Sequence, residues 1–233
     1  MTFTDLQVEI KMDFEKRLDT ILMRIEKARL SVNQYQIVKI VAASKSANTT
    51  MIEALYAAGQ RAFGENKIQD MSDKVHALDH IPLEWHFIGR LQTNKINHLI
   101  DLNPFLLHSL SSQEMAQELD KRLHVKGKTL SALLQINSAY EEQKAGVLPE
   151  RACELYEQIS LTCKNIHLQG VMSIGAHCDN PSIIQKSFET THRIFEILQP
   201  KGAKYCSMGM SNDYELAVLC GANMLRLGST LFH

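Results

Sequence analysis

No stretch of the 233-residue chain stays apolar over the length a membrane-spanning helix requires. The opening residues Met1-Thr2-Phe3-Thr4-Asp5-Leu6 carry an acid where a secretory leader would carry basic and then apolar residues. Both absences point to a cytoplasmic protein with no membrane partner. Cysteine is sparse and unpatterned: Cys153, Cys163, Cys178, Cys206 and Cys220 are an odd number without a C-x-x-C pair, which suits a reducing compartment better than a disulfide framework. Excess charge of one sign is missing too. A net charge of −1 gives no electrostatic handle for nucleic acid or an anionic membrane, so neither is expected as a partner. His86 and His108 have no second histidine or carboxylate at ligand spacing, so no metal site is expected and both imidazoles read as packed or hydrogen-bonded core groups. No repeat, low-complexity segment or linker divides the chain, and residues 1–233 read as one domain, long enough to bury a sizeable core.

What is present is an alternation. Residues Thr4 to Asn33 are charged and amphipathic, with Leu18, Ile21, Leu22, Ile25 and Ala28 at helical spacing, and predict a long opening helix packing one face. Strands are then predicted at Ile37–Lys45, Arg61–Asn66, Trp85–Gly89, Phe105–Leu110, Ser131–Asn137, His167–Ile174, Lys204–Met208 and Asn223–Gly228. Between them lie helical stretches with start and stop signals: Asn48-Thr49-Thr50 before a helix that Gly59 ends, Ser111-Ser112-Gln113-Glu114 before another, and Asn180-Pro181 before a third that Pro200-Lys201-Gly202 terminates. Eight strands alternating with eight helices through short connections predict an α/β fold of the closed (β/α)8 TIM type with an extra N-terminal helix, rather than an open doubly wound sheet. The polar connection from Tyr140 to Gly146 is long enough to be an active-face loop.

Ligands of such barrels bind at the C-terminal ends of the strands. Alternation places Lys45 on the face of Ala43 and Val41, at the end of a buried strand, where desolvation would favour a neutral, nucleophilic amine. The plain alternative is a strand-end lysine reaching solvent. The loops Ser207-Met208-Gly209-Met210-Ser211-Asn212-Asp213 and Gly228-Ser229-Thr230 follow strands seven and eight, where barrels often hold a phosphate, although turn and cap roles would explain either alone. Arg226 shares its face with Met224 and Gly228, opposite Leu225 and Leu227, so its guanidinium should enter the barrel and meet an acceptor there, either an inward carboxylate or a heteroaromatic nitrogen. An amine, a phosphate cradle at Ser207, Gly209, Ser211, Gly228 and Ser229, and an inward arginine together suggest pyridoxal 5′-phosphate. His86 could line the same cavity, since its face is shared with Ile88. Most methionines read as core filler.

The chain also resembles the YggS/PROSC family of pyridoxal-phosphate-binding homeostasis proteins, which share the barrel of the alanine racemase N-terminal domain. The resemblance runs in order through Val41-Ala42-Ala43-Ser44-Lys45, Phe63-Gly64-Glu65-Asn66, Trp85-His86-Phe87-Ile88-Gly89 and Leu91-Gln92-Thr93-Asn94-Lys95. It continues through Lys144-Ala145-Gly146, Gly170-Val171-Met172-Ser173-Ile174, the Ser207–Asp213 loop and Arg226-Leu227-Gly228-Ser229. Arg90, Lys67 and the Phe232-His233 ending depart from the usual family pattern. The resemblance implies that Lys45 carries the cofactor as a Schiff base, with Asn66, Met172 and Arg226 around the ring. It also implies a non-catalytic carrier role in vitamin B6 and amino-acid balance. A racemase of this fold brings a tyrosine from a further β-rich domain, and no such domain follows the eighth strand. A monomer that hands its cofactor to pyridoxal-phosphate-dependent apo-enzymes is the expectation. A pyridoxal-phosphate racemase or lyase, and a cofactor-free Schiff-base aldolase, are the competing readings.

Overall fold

The first strand, β1 (Lys39–Ala43), is a β-branched and small-residue run whose alternate side chains enter two different cores. Val41 joins Ala62, Leu106, Leu133, Met172 and Met224 in a compact cluster inside the sheet, while Ile40 and Ala42 belong to the larger core between sheet and helices. The computed structural model describes residues 3–233, with side chains from Lys11 onward. Chain order runs α1 (Phe3–Leu30), β1, α2 (Thr49–Ala57), β2 (Ala62–Glu65), α3 (Ile68–Ala77), β3 (Glu84–Phe87), α4 (Ile96–Leu102), β4 (Leu106–Leu110) and α5 (Gln113–Lys126). It continues with β5 (Leu130–Ile136), α6 (Pro149–Thr162), β6 (Ile166–Ser173), α7 (Pro181–Leu198), β7 (Tyr205–Ser207), α8 (Tyr214–Leu219), β8 (Met224–Leu227) and α9 (Ser229–Phe232).

All neighbouring strands are parallel and the sheet closes, β8 returning to β1 with Lys39 opposite Met224 and Val41 opposite Arg226. The expected (β/α)8 barrel is therefore the observed one. Helix starts follow the cap signals: Asn48 accepts from Met51 N at 2.9 Å, Ser112 from Met115 N at 3.2 Å, and Asn180 from Ser182 N at 3.0 Å, each side-chain oxygen satisfying an N–H that the first helical turn cannot.

Several expectations shift. The opening helix does pack one face, burying Phe14, Leu18, Ile21, Ile25 and Ala28, but Leu22 is 45% exposed, because the buried stripe narrows to a step of three and four residues that passes it by. The first strand is shorter at both ends: Ile37 is exposed, and Lys45 lies two residues past the strand in a turn, itself exposed. Burial of the Lys45 ammonium at a strand end is thereby corrected. A short helix, α9, follows β8 and docks Phe232 edge-on against Phe14 of α1, ring centroids 6.0 Å apart, so nine helices rather than eight are present among the described residues. The helix expected at Thr93 begins as a 3-10 turn and becomes α-helical at Ile96.

Candidate functional site

Alternation carries Arg226 of β8 into the barrel, and its neighbours explain how the cation is tolerated there. The side chain is 5% exposed; one terminal nitrogen donates to the carbonyl and the hydroxyl of Ser207 at 2.9 and 2.7 Å, and the other to the carbonyl of Ser173 at 2.8 Å. Burial lowers its pKa to about 10, opposed by the Asp213 carboxylate, so the guanidinium is charged at neutral pH. Asp213 is pushed in the other direction, its carboxyl raised by burial against the N–H of Met210, which donates to it at 2.6 Å. The acceptors of Arg226 are thus two carbonyls and a hydroxyl, with no carboxylate in hydrogen-bond contact.

Ser207 ends β7 and is wholly buried, its hydroxyl taken by Arg226 and by His108 Nδ1 at 3.3 Å. It stands beneath the loop that follows, next to the guanidinium. The loop itself turns at Gly209, whose φ of +87° suits glycine, and an added Cβ would lie 2.6 Å from the Ala217 Cβ. Ser211 then reaches across to the start of α9. Its hydroxyl oxygen receives the N–H of Gly228 at 3.2 Å and the N–H of Thr230 at 3.3 Å, and lies 3.2 Å from the Thr230 hydroxyl. Three polar hydrogens converging on one oxygen are the donor chemistry an anionic oxygen needs, and Gly228 lets this rim pack closely on β1, since a Cβ there would lie 3.3 Å from the Ala43 carbonyl. Ser229 is exposed beside them. The donor set at this rim fits a phosphate.

Lys45 follows β1 at the same end of the barrel and has no hydrogen-bond or ion-pair partner among the described residues. The peptide before it is firmly held. Ser44 N donates to the Gly64 carbonyl at 2.9 Å, Ser44 Oγ to Glu65 Oε1 at 2.6 Å, and Lys74 Nζ to both the Ser44 carbonyl and Glu65 Oε1 at 2.7 Å. Asn66, just past β2, is exposed, and Gly89 packs on its carbonyl so closely that no side chain could replace the glycine. Met172 of β6 is 1% exposed within the inner cluster. On the loop after β5, Lys144 bridges Glu141 and the Gly175 carbonyl at 2.8 and 2.6 Å, tying that loop to the end of β6.

Deeper in the barrel the two strand histidines meet. His86 Nδ1 lies 2.9 Å from His108 Nε2, and His86 Nε2 lies 2.7 Å from Glu84 Oε1, which also pairs with Lys39 at the N-terminal end. Both ring nitrogens of His86 are therefore engaged within the protein. Burial pushes His108 well below the usual imidazole range, helped by the nearby His86 and Arg226, and lowers His86 despite the opposing Glu84. Burial also raises Glu84, but the hydrogen bonds from His86 and Lys39 outweigh it and leave this carboxylate below its ordinary value. Lys39, Glu84 and His108 were not among the sequence-predicted site residues. The alternation of β3 and β4 points both histidines inward, but their meeting depends on the strand register, His86 opposite Leu106, which no local pattern contains.

A parallel eight-stranded barrel with an arginine inside, a small-residue donor rim and a lysine at the C-terminal mouth defines a class, and the sequence matches the family described as "Alanine racemase, N-terminal domain" over residues 17–233. Alanine racemase from Clostridium difficile shares the fold, with a TM-score of 0.72 at 16% identity over 93% of this chain and 56% of its own. Within that class, the pyridoxal phosphate homeostasis protein of Helicobacter pylori strain J99 is 55% identical over 95% of this chain and 99% of its own length, and that of Aquifex aeolicus is 36% identical over 93% and 96%. PipY of Synechococcus elongatus, solved with PLP bound, superposes with a TM-score of 0.79 at 29% identity, covering 94% of this chain and all of that one. The chain belongs to the pyridoxal phosphate homeostasis (YggS/PROSC) family.

Proposed function

We propose that the protein holds pyridoxal 5′-phosphate as a Schiff base on Lys45 and serves vitamin B6 and amino-acid homeostasis without turning over substrate. The observation that carries the reading is Arg226, a charged guanidinium fixed inside the barrel by two carbonyls and a hydroxyl, on the strand paired with the one leading to Lys45. When bound, the cofactor supplies an aldehyde for an amine, a ring nitrogen for a donor and a phosphate for a cradle. Lys45 provides the amine and stands exposed where an incoming ligand can reach it. Asn66 and Met172 flank the ring, Arg226 donates to its nitrogen, and the Gly209–Ser211 and Gly228–Ser229 loops, with Ser207 below them, receive the phosphate. A permanent cation facing the ring nitrogen disfavours protonation there, which weakens electron withdrawal from an amino-acid substrate and favours holding over turnover. The relatives' name, pyridoxal phosphate homeostasis protein, supports the same role. Apo-enzymes that use the cofactor are the proposed recipients, and the protein acts in the cytoplasm as a monomer. No described helix is long and apolar enough to cross a membrane.

The test is chemical. Purified protein incubated with pyridoxal phosphate should turn yellow, and borohydride reduction followed by peptide mass spectrometry should place the modification on Lys45, with Lys45→Ala unlabelled. Label elsewhere, or none, rejects the assignment. Exchange of amino-acid α-protons in deuterated water, tested against Lys45→Ala, separates a carrier from a racemase or lyase. Lysine-dependent exchange at about 1 per second or faster would make it an enzyme.

A further inference from the structure

A single file of polar side chains runs through the barrel from Lys39 and Glu84 at its N-terminal end, through His86, His108 and Ser207, to Arg226. With both rings neutral, the carboxylate end of the file fixes every proton along it. Glu84 is a carboxylate that only accepts, so His86 donates to it from Nε2 and, as a neutral ring, accepts at Nδ1 from His108 Nε2. His108, neutral in turn, accepts at Nδ1 from the Ser207 hydroxyl, whose lone pairs are left for Arg226, since a guanidinium only donates. Both imidazoles are then neutral and of one tautomer, with hydrogen on Nε2, and all donors point toward Glu84. Lys39 completes the carboxylate from the other side, its ammonium 4.8 Å from the centre of the Phe105 ring. The charged groups facing the histidines are Glu84 and Lys39 below and Arg226 above, with Asp213 beyond the guanidinium.

We infer that His86 and His108 are positioning residues for Arg226: by fixing the Ser207 hydroxyl as an acceptor, they orient the guanidinium so that its remaining N–H groups are left to face the ring nitrogen of the bound cofactor. The inference rests on the cofactor reading above. If His108 donated from Nδ1 instead, the Ser207 hydrogen would be released to turn toward the guanidinium, a donor facing a donor, and the hydroxyl would no longer be held as an acceptor. Burial supports the fixed arrangement, since both rings resist the second proton that would reverse a donor.

Nitrogen-15 spectra of histidine-labelled protein without ligand, at neutral pH, should show both rings neutral with hydrogen on Nε2. An Nδ1–H tautomer or an imidazolium at either position overturns the inference. Titration with pyridoxal phosphate should show His108→Phe binding about tenfold more weakly, while His108→Gln, whose amide can accept from Ser207 and donate to His86, stays within about threefold of the parent. Equal loss in both variants overturns it as well. A parent protein that ignores pyridoxal phosphate sinks the cofactor assignment and this inference with it. That failure is told apart from failure of the file because the tautomers are observed without ligand.

Discussion

Glu65 is wholly buried and Lys74 nearly so, and their ion pair closes over the peptide that leads into Lys45. Glu65 Oε2 has no partner among the described residues, so Oε1 carries the whole interaction. Lys74→Met should therefore strand a buried carboxylate and cost about 3–5 kcal/mol in urea unfolding, and adding Glu65→Gln to it should recover part of the loss, a sign that the stranded charge and not the lost contact dominated. Gly209→Ala tests the rim in the same way. Its backbone is left-handed and its Cβ meets Ala217, so the variant should lose about 2 kcal/mol or more and bind the cofactor less tightly. At this scale alternation made Arg226 legible, because Leu225 and Leu227 had to face the helices and left the arginine only the interior. It failed at Lys45, where the strand pattern continued past the point at which the backbone stops pairing. Ser44 is the last residue of the run that is held in place, by Glu65 and Gly64, and those partners lie in another strand that local sequence does not reveal.

Among elements, the pairing of α1 with α9 was not visible in the sequence. A four-residue helix carries too little periodicity to detect, and Phe232 gains its meaning only from the Phe14 ring across the gap. The contact also includes the Leu231 carbonyl, which accepts from Arg17 at 3.5 Å. Phe232→Ala should cost about 3 kcal/mol in thermal or urea unfolding, because the cavity opens between two elements that have few other ways to collapse onto each other. Three of the remaining helices were legible from start signals in their own sequence, Asn48 before α2, Ser112 before α5 and Asn180-Pro181 at α7. The order of strands around the ring followed from alternation and short connections alone.

Over the whole molecule, the buried histidine pair makes stability depend on pH in a definite sense. Both folded-state pKa values lie below the ordinary imidazole value, so between that value and the folded ones the unfolded chain binds protons that the native barrel refuses. Stability is fully present above about pH 6.5 and should fall as pH drops toward 5, with a slope approaching about 1.4 kcal/mol per pH unit for each imidazole. Urea unfolding at a series of pH values checks this, and His108→Gln should remove about one proton from the slope. A flat profile over that interval would mean that the rings are already charged in the native state.

Strand β8 pairs with β7 on one side and β1 on the other, so the segment that carries Arg226 is also the seam where the ring meets itself. From that seam Arg226 reaches back to the carbonyls of Ser207 on β7 and Ser173 on β6, tying the closing strand to the two before it, while a ligand shared by Lys45 and Arg226 would reach forward to β1. Occupancy by ligand would then tighten the weld, and its departure would be the earliest sign of a barrel coming apart.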